Sequence, residues 1–406
     1  MKIGLVMLRT GLAQGGSSAR PRQAATLPPN GPGLMGRALV VGGTGPTGPP
    51  IVAGLLARGH EVTVFHTGRH EVAQLPDVPH VHGSPFEADD IARAVGSAGS
   101  AGWDVVVATY GRVRLISDGV ANRCAHLVVV GGVPVYQGYV NPGSRFPYGV
   151  QLPVREDSHP LVAPDEPRFA GYSTGPIRRT EDHVFSLGAK GSFAATYLRY
   201  PTVYGPRNPY AWEWNVVRRV LDGRPWLALA DGGHGIHSRV AARNAAEAVL
   251  LAVDRPAIAA GKAYNVADDD LLTVRQWAQL VARAAGRDLE IRSLPRELPN
   301  PGLAVSAFGG QESPTCIVDT TRLREDLGYR DVVSVRDGIA ETVEWMLANE
   351  PQLRASGTTD PFDYPAEDAL VAAYEQALAG LAPQAAPFGA GIERMDMVQT
   401  AKGRAL

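Results

Sequence analysis

Short runs of consecutive apolar residues alternate with helical segments along the central part of the chain. Because the runs are continuously apolar and rich in valine, they predict strands buried on both faces, as in a parallel sheet covered by helices. Segments with helical spacing lie between or after them, for example at 51–58, 89–95 and 176–188. The alternation predicts an α/β fold built on a doubly wound parallel sheet. The predicted strands are residues 37–41, 61–66, 80–83, 104–108, 126–130 and 195–199.

The balance of charge and the cysteine content argue against several classes of protein. Of the 406 residues, 39 are Lys or Arg and 41 are Asp or Glu, so the formal net charge is −2. That balance supplies no electrostatic attraction to nucleic acid or to anionic lipid. Two cysteines, Cys124 and Cys316, are too few for a disulfide framework, and no apolar run reaches the roughly 18 residues of a membrane span. We therefore expect a cytoplasmic protein with a small-molecule substrate, no nucleic-acid or membrane partner, and a homodimer as a candidate assembly.

The two ends of the chain lack the alternation seen in its centre. Residues 1–34 combine a short apolar stretch with a segment of Gly, Ser, Arg and Pro, which predicts a disordered extension. Residues 351–382 carry a further helical pattern. Residues 383–406 mix Ala, Pro and Gly without periodicity, and we expect a mobile tail there.

A glycine-rich loop follows the first predicted strand and precedes the first predicted helix. Its glycines, Gly42, Gly45 and Gly48, have a G-x-x-G-x-x-G spacing. Glycine permits a tight turn and lets the backbone approach a pyrophosphate, which then lies at the helix N-terminus. We therefore predict a dinucleotide site here, in which threonine hydroxyls compensate for a proline that has no N–H. The remaining predicted contacts in the loop are Thr44, Pro46 and Thr47.

The turn after the second predicted strand indicates which dinucleotide is bound. An acidic residue about 20 positions past the loop would bind the 2′-hydroxyl of NAD, whereas an arginine accommodates the 2′-phosphate of NADP. Here the turn carries an arginine and no carboxylate. We therefore predict NADP, with NAD as the less favoured cofactor. The predicted ribose contacts are His66, Thr67, Gly68 and Arg69.

Four motifs of the chain point to one family. They are the glycine loop, the Phe-x-x-Gly-Arg turn, residues 199–206 (RYPTVYGP) and residues 264–266 (YNV). Together they resemble the extended and atypical short-chain dehydrogenases/reductases, the NAD(P)-dependent epimerase/dehydratase family. Residues 319–345 are similar to a C-terminal signature of the same family, so the resemblance covers roughly residues 36–350.

The resemblance implies an architecture and a set of cofactor contacts. It implies a dinucleotide-binding Rossmann domain over 36–204, to which later segments return, and a smaller, mainly substrate-binding part over 205–350. It also implies that the chain passes beside the cofactor at the ends of the 104–108 and 126–130 strands and directly after the 195–199 strand. The contacts implied in this way are Ala108, Thr109, Gly131, Tyr200, Pro201 and Val203.

The chain departs from the family at the catalytic motif, which consists of a Ser or Thr, a Tyr, and a Lys four residues after the Tyr. The serine position falls on Gly132, Tyr172 best matches the tyrosine, and Pro176 stands at the lysine position. A phenol with a pKa of about 10 is a poor base at neutral pH without a cation to stabilise its phenolate. Arg178 and Arg179 carry charge nearby, but a guanidinium does not readily release a proton. We therefore predict that Tyr172 is catalytic as a neutral hydrogen-bond donor.

Aromatic residues cluster around the cofactor-lining segment. Eight of the 13 tyrosines lie between residues 136 and 210, and two tryptophans follow. Rings with polar tips suit a ring-bearing substrate better than a nucleotide sugar. We predict substrate contacts from Tyr136, Tyr204, Trp212 and Trp214, in a cavity also lined by Tyr139, Tyr148 and Tyr210. Candidates for a replacement acid or base are Glu156, Asp157, His159, His234 and His237.

Three functions remain open on the sequence alone. The first is an NADP-dependent oxidoreductase or isomerase that acts on a small, ring-bearing organic substrate without the usual Tyr–Lys pair. The second is a non-catalytic dinucleotide-binding protein, and the third is a sugar-nucleotide epimerase or dehydratase that recycles its nicotinamide. The ten histidines are scattered and lack an obvious carboxylate as a further ligand, so we predict no metal site.

Overall fold

A computed structural model describes residues 36–69, 72–169, 171–305, 315–356 and 360–389. The predicted disordered extension, residues 1–34, lies outside the described residues, as does most of the predicted tail. Residues 383–389 of that tail are helical instead of mobile, because they continue the helix that begins at Tyr364. No helix in these described ranges is long and apolar enough to span a membrane.

Seven parallel strands form the central sheet, which confirms the predicted α/β, doubly wound architecture. The strands of the described residues are β1 (Arg37–Val41), β2 (Glu61–His66), β3 (His80–His82), β4 (Trp103–Ala108), β5 (Cys124–Gly132), β6 (Ala194–Tyr200), β7 (Thr202–Tyr204), β8 (Trp226–Ala230), β9 (Arg239–Ala241), β10 (Lys262–Asn265) and β11 (Glu290–Leu294). The spatial order in the central sheet is β10-β6-β5-β4-β1-β2-β3. The sequence does not predict β10, because its short sequence, KAYN, lacks a continuous apolar run.

Helices cover both faces of this sheet. The α-helices of the described residues are α1 (Gly48–Ala57), α2 (Ala88–Gly96), α3 (Val113–Val120), α4 (Thr174–Ala189), α5 (Trp214–Leu221), α6 (Ala242–Asp254), α7 (Pro256–Ala259), α8 (Val274–Ala284), α9 (Thr321–Leu327), α10 (Val335–Ala348), α11 (Glu350–Ala355) and α12 (Tyr364–Gly389). On one face, α1 and α6 pack on a core that contains the side chains of Val40 and Val64. On the other face, α2, α3 and α4 pack on a core that contains Leu39 and Phe65, so successive strand residues point to opposite sides.

A second core lies beyond the sheet, among later elements of the chain. The pair β8–β11 packs with α5, α8 and α10 around Trp214 and Trp277. The short pair β7–β9 joins this core to the end of β6. Helix α12 packs through Val371 against the outer side of β8 and β11.

All seven strands of the central sheet point the same way, so their carboxyl ends meet at one edge. The order reverses between β1 and β4, and ligands of open parallel sheets bind at such a reversal. The glycine loop follows β1 at this point, and Thr109 follows β4 beside it. The fold therefore brings the predicted cofactor segments to one edge of the sheet.

Candidate functional site

The glycine loop is a compact turn held by its own backbone and by its neighbours. The N–H of Gly42 donates to the carbonyl of Phe65 in β2, and the N–H of Gly45 donates to the carbonyl of Gly42. Gly42 has a φ of +95°, and a Cβ there would lie 2.6 Å from the Cβ of Tyr110. A Cβ at Gly48 would collide with the carbonyl oxygen of Gly43. Glycine is therefore required at both positions, by conformation at the first and by the close packing of α1 on the loop at the second.

Gly45 differs from the other two glycines, because a Cβ added to it would meet no atom of the described residues, its chain neighbours aside, within 4 Å. Its backbone is open to the edge of the sheet, at the N-terminus of α1. The loop offers few N–H donors there, since Pro46, Pro49 and Pro50 have none and the N–H of Gly48 bonds to Gly45. The residues present fit a dinucleotide whose pyrophosphate lies against Gly45, with the Thr44 hydroxyl as a nearby side-chain donor.

The turn after β2 presents Thr67 and Arg69 to solvent and buries His66. The N–H of Gly68 donates to Nδ1 of His66 at 3.3 Å, and the N–H of Arg69 donates to the Thr67 hydroxyl at 3.4 Å. The guanidinium of Arg69 makes no hydrogen bond or ion pair with any described residue. The turn therefore offers an exposed cation beside the glycine loop.

The other residues implied as cofactor contacts fall into two groups. Thr109 lies beside the glycine loop, because its hydroxyl donates to the carbonyl of Val41 at 2.9 Å. The side chain of Ala108 is enclosed in the core, and a Cβ at Gly131 would overlap the ring of Tyr197. Both side-chain positions are therefore filled by core packing, and only the backbones of Ala108 and Gly131 can face the edge where the strands end.

The end of β6 and the residues after it also differ from the expected set of cofactor contacts. The ring of Tyr200 is buried under α6 and its hydroxyl donates to the carbonyl of Ala245 at 2.6 Å, so this side chain is a core residue instead of a cofactor contact. Pro201 is buried as well, whereas Val203 is partly exposed at the margin of the same core.

Tyr172 lies half-buried directly before α4, where Ser173 occupies the N-cap position. Burial raises the pKa of its phenol, and the neighbouring phenol of Tyr210 raises that pKa further. Among the described residues, Lys190 ends the far side of α4 and Lys262 pairs with Asp326 at 2.6 Å, so neither lysine adjoins the phenol. The arrangement favours a neutral Tyr172 at neutral pH.

The two arginines near Tyr172 are engaged elsewhere. Arg178 donates to Asp182 at 2.8 Å and to the carbonyl of Val162 at 3.3 Å. Arg179 donates to the carbonyl of Pro164. Neither guanidinium therefore substitutes for the lysine of the family motif.

The predicted aromatic cavity divides into core and surface residues. Tyr136, Tyr139, Tyr204 and Trp214 are enclosed in the protein, so their rings pack in cores instead of lining an open cavity. The Tyr204 hydroxyl donates to Asp268 at 2.8 Å, which explains how a tyrosine is tolerated there. Tyr148 is exposed on a loop.

Two of the predicted rings do stand together beside Tyr172. Tyr210 is 73% exposed, and its ring stacks on that of Trp212 with an angle of 10° and a centroid distance of 5.8 Å. Trp212 and Tyr172 pack against the same buried cluster. The loop that carries the pair has a positive φ at Arg207 and Ala211, a strain that is common at functional sites.

A buried polar network lies behind this surface, and sequence reasoning missed it. Arg199 in β6 pairs with Glu181 in α4 and also donates to the Tyr136 hydroxyl at 2.6 Å. That hydroxyl donates in turn to Oδ1 of Asn265 at 2.8 Å. Burial raises the pKa of Tyr136 to about 12, despite the adjacent guanidinium. The Tyr136 phenol, which bonds the Arg199 guanidinium, is therefore enclosed and neutral.

The candidate replacement acids and bases are dispersed. His159 accepts from the N–H of Arg155 at 3.0 Å and donates to the carbonyl of Gln151, so both of its ring nitrogens are used in the loop. Glu156 accepts from the N–H of Asn265 at 2.7 Å, and burial raises the pKa of its carboxyl. Asp157 is exposed and pairs with Arg322, His234 is exposed, and His237 is buried.

Comparison with known proteins identifies the family of this chain. No family model matches the chain. The chain is 31% identical over 320 residues to a 3-diazoavenalumate denitrifying reductase of a Streptomyces species, an alignment that covers 75% of this chain and 99% of that protein. The chain belongs to the NAD-dependent epimerase/dehydratase family of extended short-chain dehydrogenases/reductases. The resemblance in its motifs is thus confirmed, and the members of this family are enzymes.

More distant members of the family align over similar lengths. A UDP-N-acetyl-alpha-D-glucosaminuronate decarboxylase of Bacillus cytotoxicus is 25% identical over 338 residues, which cover 76% of this chain and 97% of that protein. The structure of a UDP-glucose 4-epimerase of Thermus thermophilus with NAD has a TM-score of 0.57 at 23% identity, and covers 77% of this chain and 99% of that one. The latter likeness shows the shared Rossmann fold.

Proposed function

We propose that this family member is an NADP-dependent reductase that transfers hydride to a small, ring-bearing substrate without a Tyr–Lys pair. The observation that carries the proposal is the setting of Tyr172, which is half-buried beside stacked rings, has a raised phenol pKa, and precedes a helix that carries Pro176 at the lysine position of the family motif. A reduced nicotinamide supplies a hydride when it is bound. The protein must then orient the substrate and, where needed, provide a hydrogen bond.

The residues around Tyr172 fit these two tasks. The stacked rings of Tyr210 and Trp212 offer a flat apolar surface for a ring. A neutral phenol donates a hydrogen bond without a lowered pKa, and for a substrate on which negative charge develops, a well-placed donor contributes roughly 2.7–4 kcal/mol. Tyr172 therefore acts as a donor and not as a general base.

The most similar relative reported above favours a reductase. Its name describes reduction of a diazo compound with loss of nitrogen. When hydride replaces a diazonium group, a C–H bond forms, the C–N bond breaks and dinitrogen leaves with the electron pair of that bond, so no proton has to be supplied. A site that lacks a lysine-activated tyrosine is compatible with this chemistry, whereas reduction of a ketone needs a proton for the new alkoxide.

The cofactor proposal rests on Arg69 and on the lack of a carboxylate in the turn after β2. An exposed guanidinium that has no bonding partner among the described residues is suited to a 2′-phosphate. We expect NADPH to bind more tightly than NADH in calorimetric titrations, and Arg69→Ala to narrow the difference. Arg287→Ala, which removes an exposed arginine after α8, serves as the control. Equal affinities in the unaltered protein would contradict the NADP assignment.

The sugar-nucleotide alternative has its own support, since one relative is a UDP-sugar decarboxylase. The deciding experiment offers the purified protein NADPH with a ring-bearing diazo carboxylate and, separately, UDP-sugars with NAD. We expect one molecule of NADPH to be oxidised for each molecule of dinitrogen released. Conversion of a UDP-sugar without net change in the dinucleotide would establish the alternative instead.

A further inference from the structure

Three histidines that are separated in sequence converge at the edge of the central sheet. His66 ends β2, His82 ends β3, and His80 precedes His82 by two positions. One ligand nitrogen from each imidazole lies within 4.8 Å of the others, and Nε2 of His66 is 2.9 Å from Nδ1 of His80. We call these three residues the histidine cluster.

The pairing of β2 with β3 explains the convergence. His66 is in register with His82, and Val64 with His80. Since side chains two positions apart point to the same side of a strand, all three imidazoles stand on one face of the sheet. The cluster is graded in exposure, from the buried His66 through the half-buried His80 to the exposed His82. Its outer side is thus open to solvent.

We propose that the histidine cluster binds a transition-metal ion of the Zn²⁺ type, with the three imidazoles as ligands. Imidazole nitrogens suit Zn²⁺, Co²⁺, Ni²⁺ and Cu²⁺, and bind Mg²⁺ and Ca²⁺ poorly. A Zn–N bond is about 2.0–2.1 Å long, so tetrahedral ligands lie roughly 3.4 Å apart. That separation falls between the 2.9 Å of the His66 and His80 nitrogens and the 4.8 Å within which all three ligand nitrogens lie. Small rotations of the rings bring the nitrogens to that geometry.

The metal has to replace a hydrogen bond that the cluster now makes. Nδ1 of His66 accepts the N–H of Gly68, so its Nε2 carries the proton and donates to His80. A metal that takes either nitrogen of His66 breaks one of these bonds. Gly68 also packs closely on the ring of His82, because a Cβ there would lie 3.2 Å from that ring. Metal uptake therefore changes the hydrogen bonding and the packing of the turn at 67–69.

The site can be tested in the absence of any dinucleotide or substrate, so the test does not depend on the proposed function. The full chain, free of a histidine tag, is titrated with Co²⁺ and then with Zn²⁺. We expect the visible absorption of tetrahedral cobalt, saturation at one ion per chain, and displacement by Zn²⁺, which binds such ligands more tightly. The ion binds to nitrogen ligands, so magnesium in excess leaves the spectrum unchanged.

Substitutions identify the ligands. His82→Gln, at the exposed member of the cluster, and His80→Gln should each weaken zinc affinity by at least about 100-fold. His60→Gln, whose ring bonds to the carbonyl of Gly36 outside the cluster, should leave it unchanged. Circular dichroism verifies that each variant is folded. An absent cobalt spectrum, or zinc affinity unaffected by His82→Gln in a folded variant, would overturn the proposal.

Discussion

The guanidinium of Arg199 donates a hydrogen bond to the hydroxyl of Tyr136 at 2.6 Å, in the interior of the protein. The pair resembles the cation and phenol of a Tyr–Lys site, yet burial keeps the pKa of the phenol at about 12. The hydroxyl also donates to Asn265 at 2.8 Å, so it joins β6 and β10 to the segment that follows β5. The pair therefore holds the sheet edge together behind the candidate site.

Tyr136→Phe should lower the stability of the protein. The change leaves a guanidinium N–H and the Asn265 carbonyl without their buried partner, which costs about 2–3 kcal/mol. Urea denaturation measures the free energy of unfolding. Tyr210→Phe, at an exposed ring, is the control and should change it by less than about 0.5 kcal/mol. Equal stability of the two variants would show that the buried network contributes little.

Gly45→Ala and Gly48→Ala should separate cofactor binding from folding. The methyl group at 45 meets no protein atom within 4 Å, so stability is retained, while dinucleotide affinity falls at least about tenfold (1.4 kcal/mol) because the methyl group occupies the pyrophosphate position. The methyl group at 48 collides with the carbonyl of Gly43 and lowers stability. Thermal unfolding and calorimetric titration measure the two quantities. If Gly45→Ala binds dinucleotide normally, the pyrophosphate does not lie against this loop.

Tyr172→Phe should reduce turnover in the hydride-transfer assay by roughly 10²–10³-fold if the phenol donates to developing negative charge. Dinucleotide affinity should stay nearly unchanged, and no ionisation near neutral pH should disappear from the rate profile. Ser173→Ala, in the same turn and without a side-chain capping bond, is the matched control. Full activity of the Phe variant would make Tyr172 a packing residue.

Pro176→Lys distinguishes two accounts of the same site. If Tyr172 works as a neutral donor, a lysine at 176 brings no large gain in turnover. A sharp rise would instead show that the site is an impaired form of the ordinary Tyr–Lys mechanism. Retained helix content of α4 has to be verified by circular dichroism, since the substitution lies in its first turn.

His126 should make the protein sensitive to acid. Its Nε2 donates to the Thr196 hydroxyl at 2.9 Å, Nδ1 is buried without a hydrogen-bond partner among the described residues, and burial lowers the pKa of the ring from 6.5 to about 4. Below pH 6.5 His126 binds a proton in the unfolded chain, whereas in the folded chain it stays neutral down to about pH 4. The free energy of unfolding therefore falls by about 3 kcal/mol between pH 6.5 and 4. His126→Gln, which keeps the donor, should flatten this slope in urea denaturation. A variant as acid-sensitive as the unaltered protein would assign the effect to another group.

The sequence by itself determined the elements whose signal is local. Continuous apolar runs predicted β1, β2, β4, β5 and β6, and the glycines after β1 predicted a tight loop at the start of α1. Those signals depend on residues a few positions apart, so they need no knowledge of distant partners. The family resemblance was equally local, since it rested on short motifs.

Only the tertiary structure decided which side chains are buried in a core and which distant side chains come into contact. Tyr204 and Trp214 read as pocket residues in sequence, but the second core formed by α5, α8 and β8 encloses both. His66 and His80 are 14 positions apart, and the register of β2 with β3 brings them within hydrogen-bond distance. Register and burial arise from contacts between remote segments, which the period of a single segment does not encode.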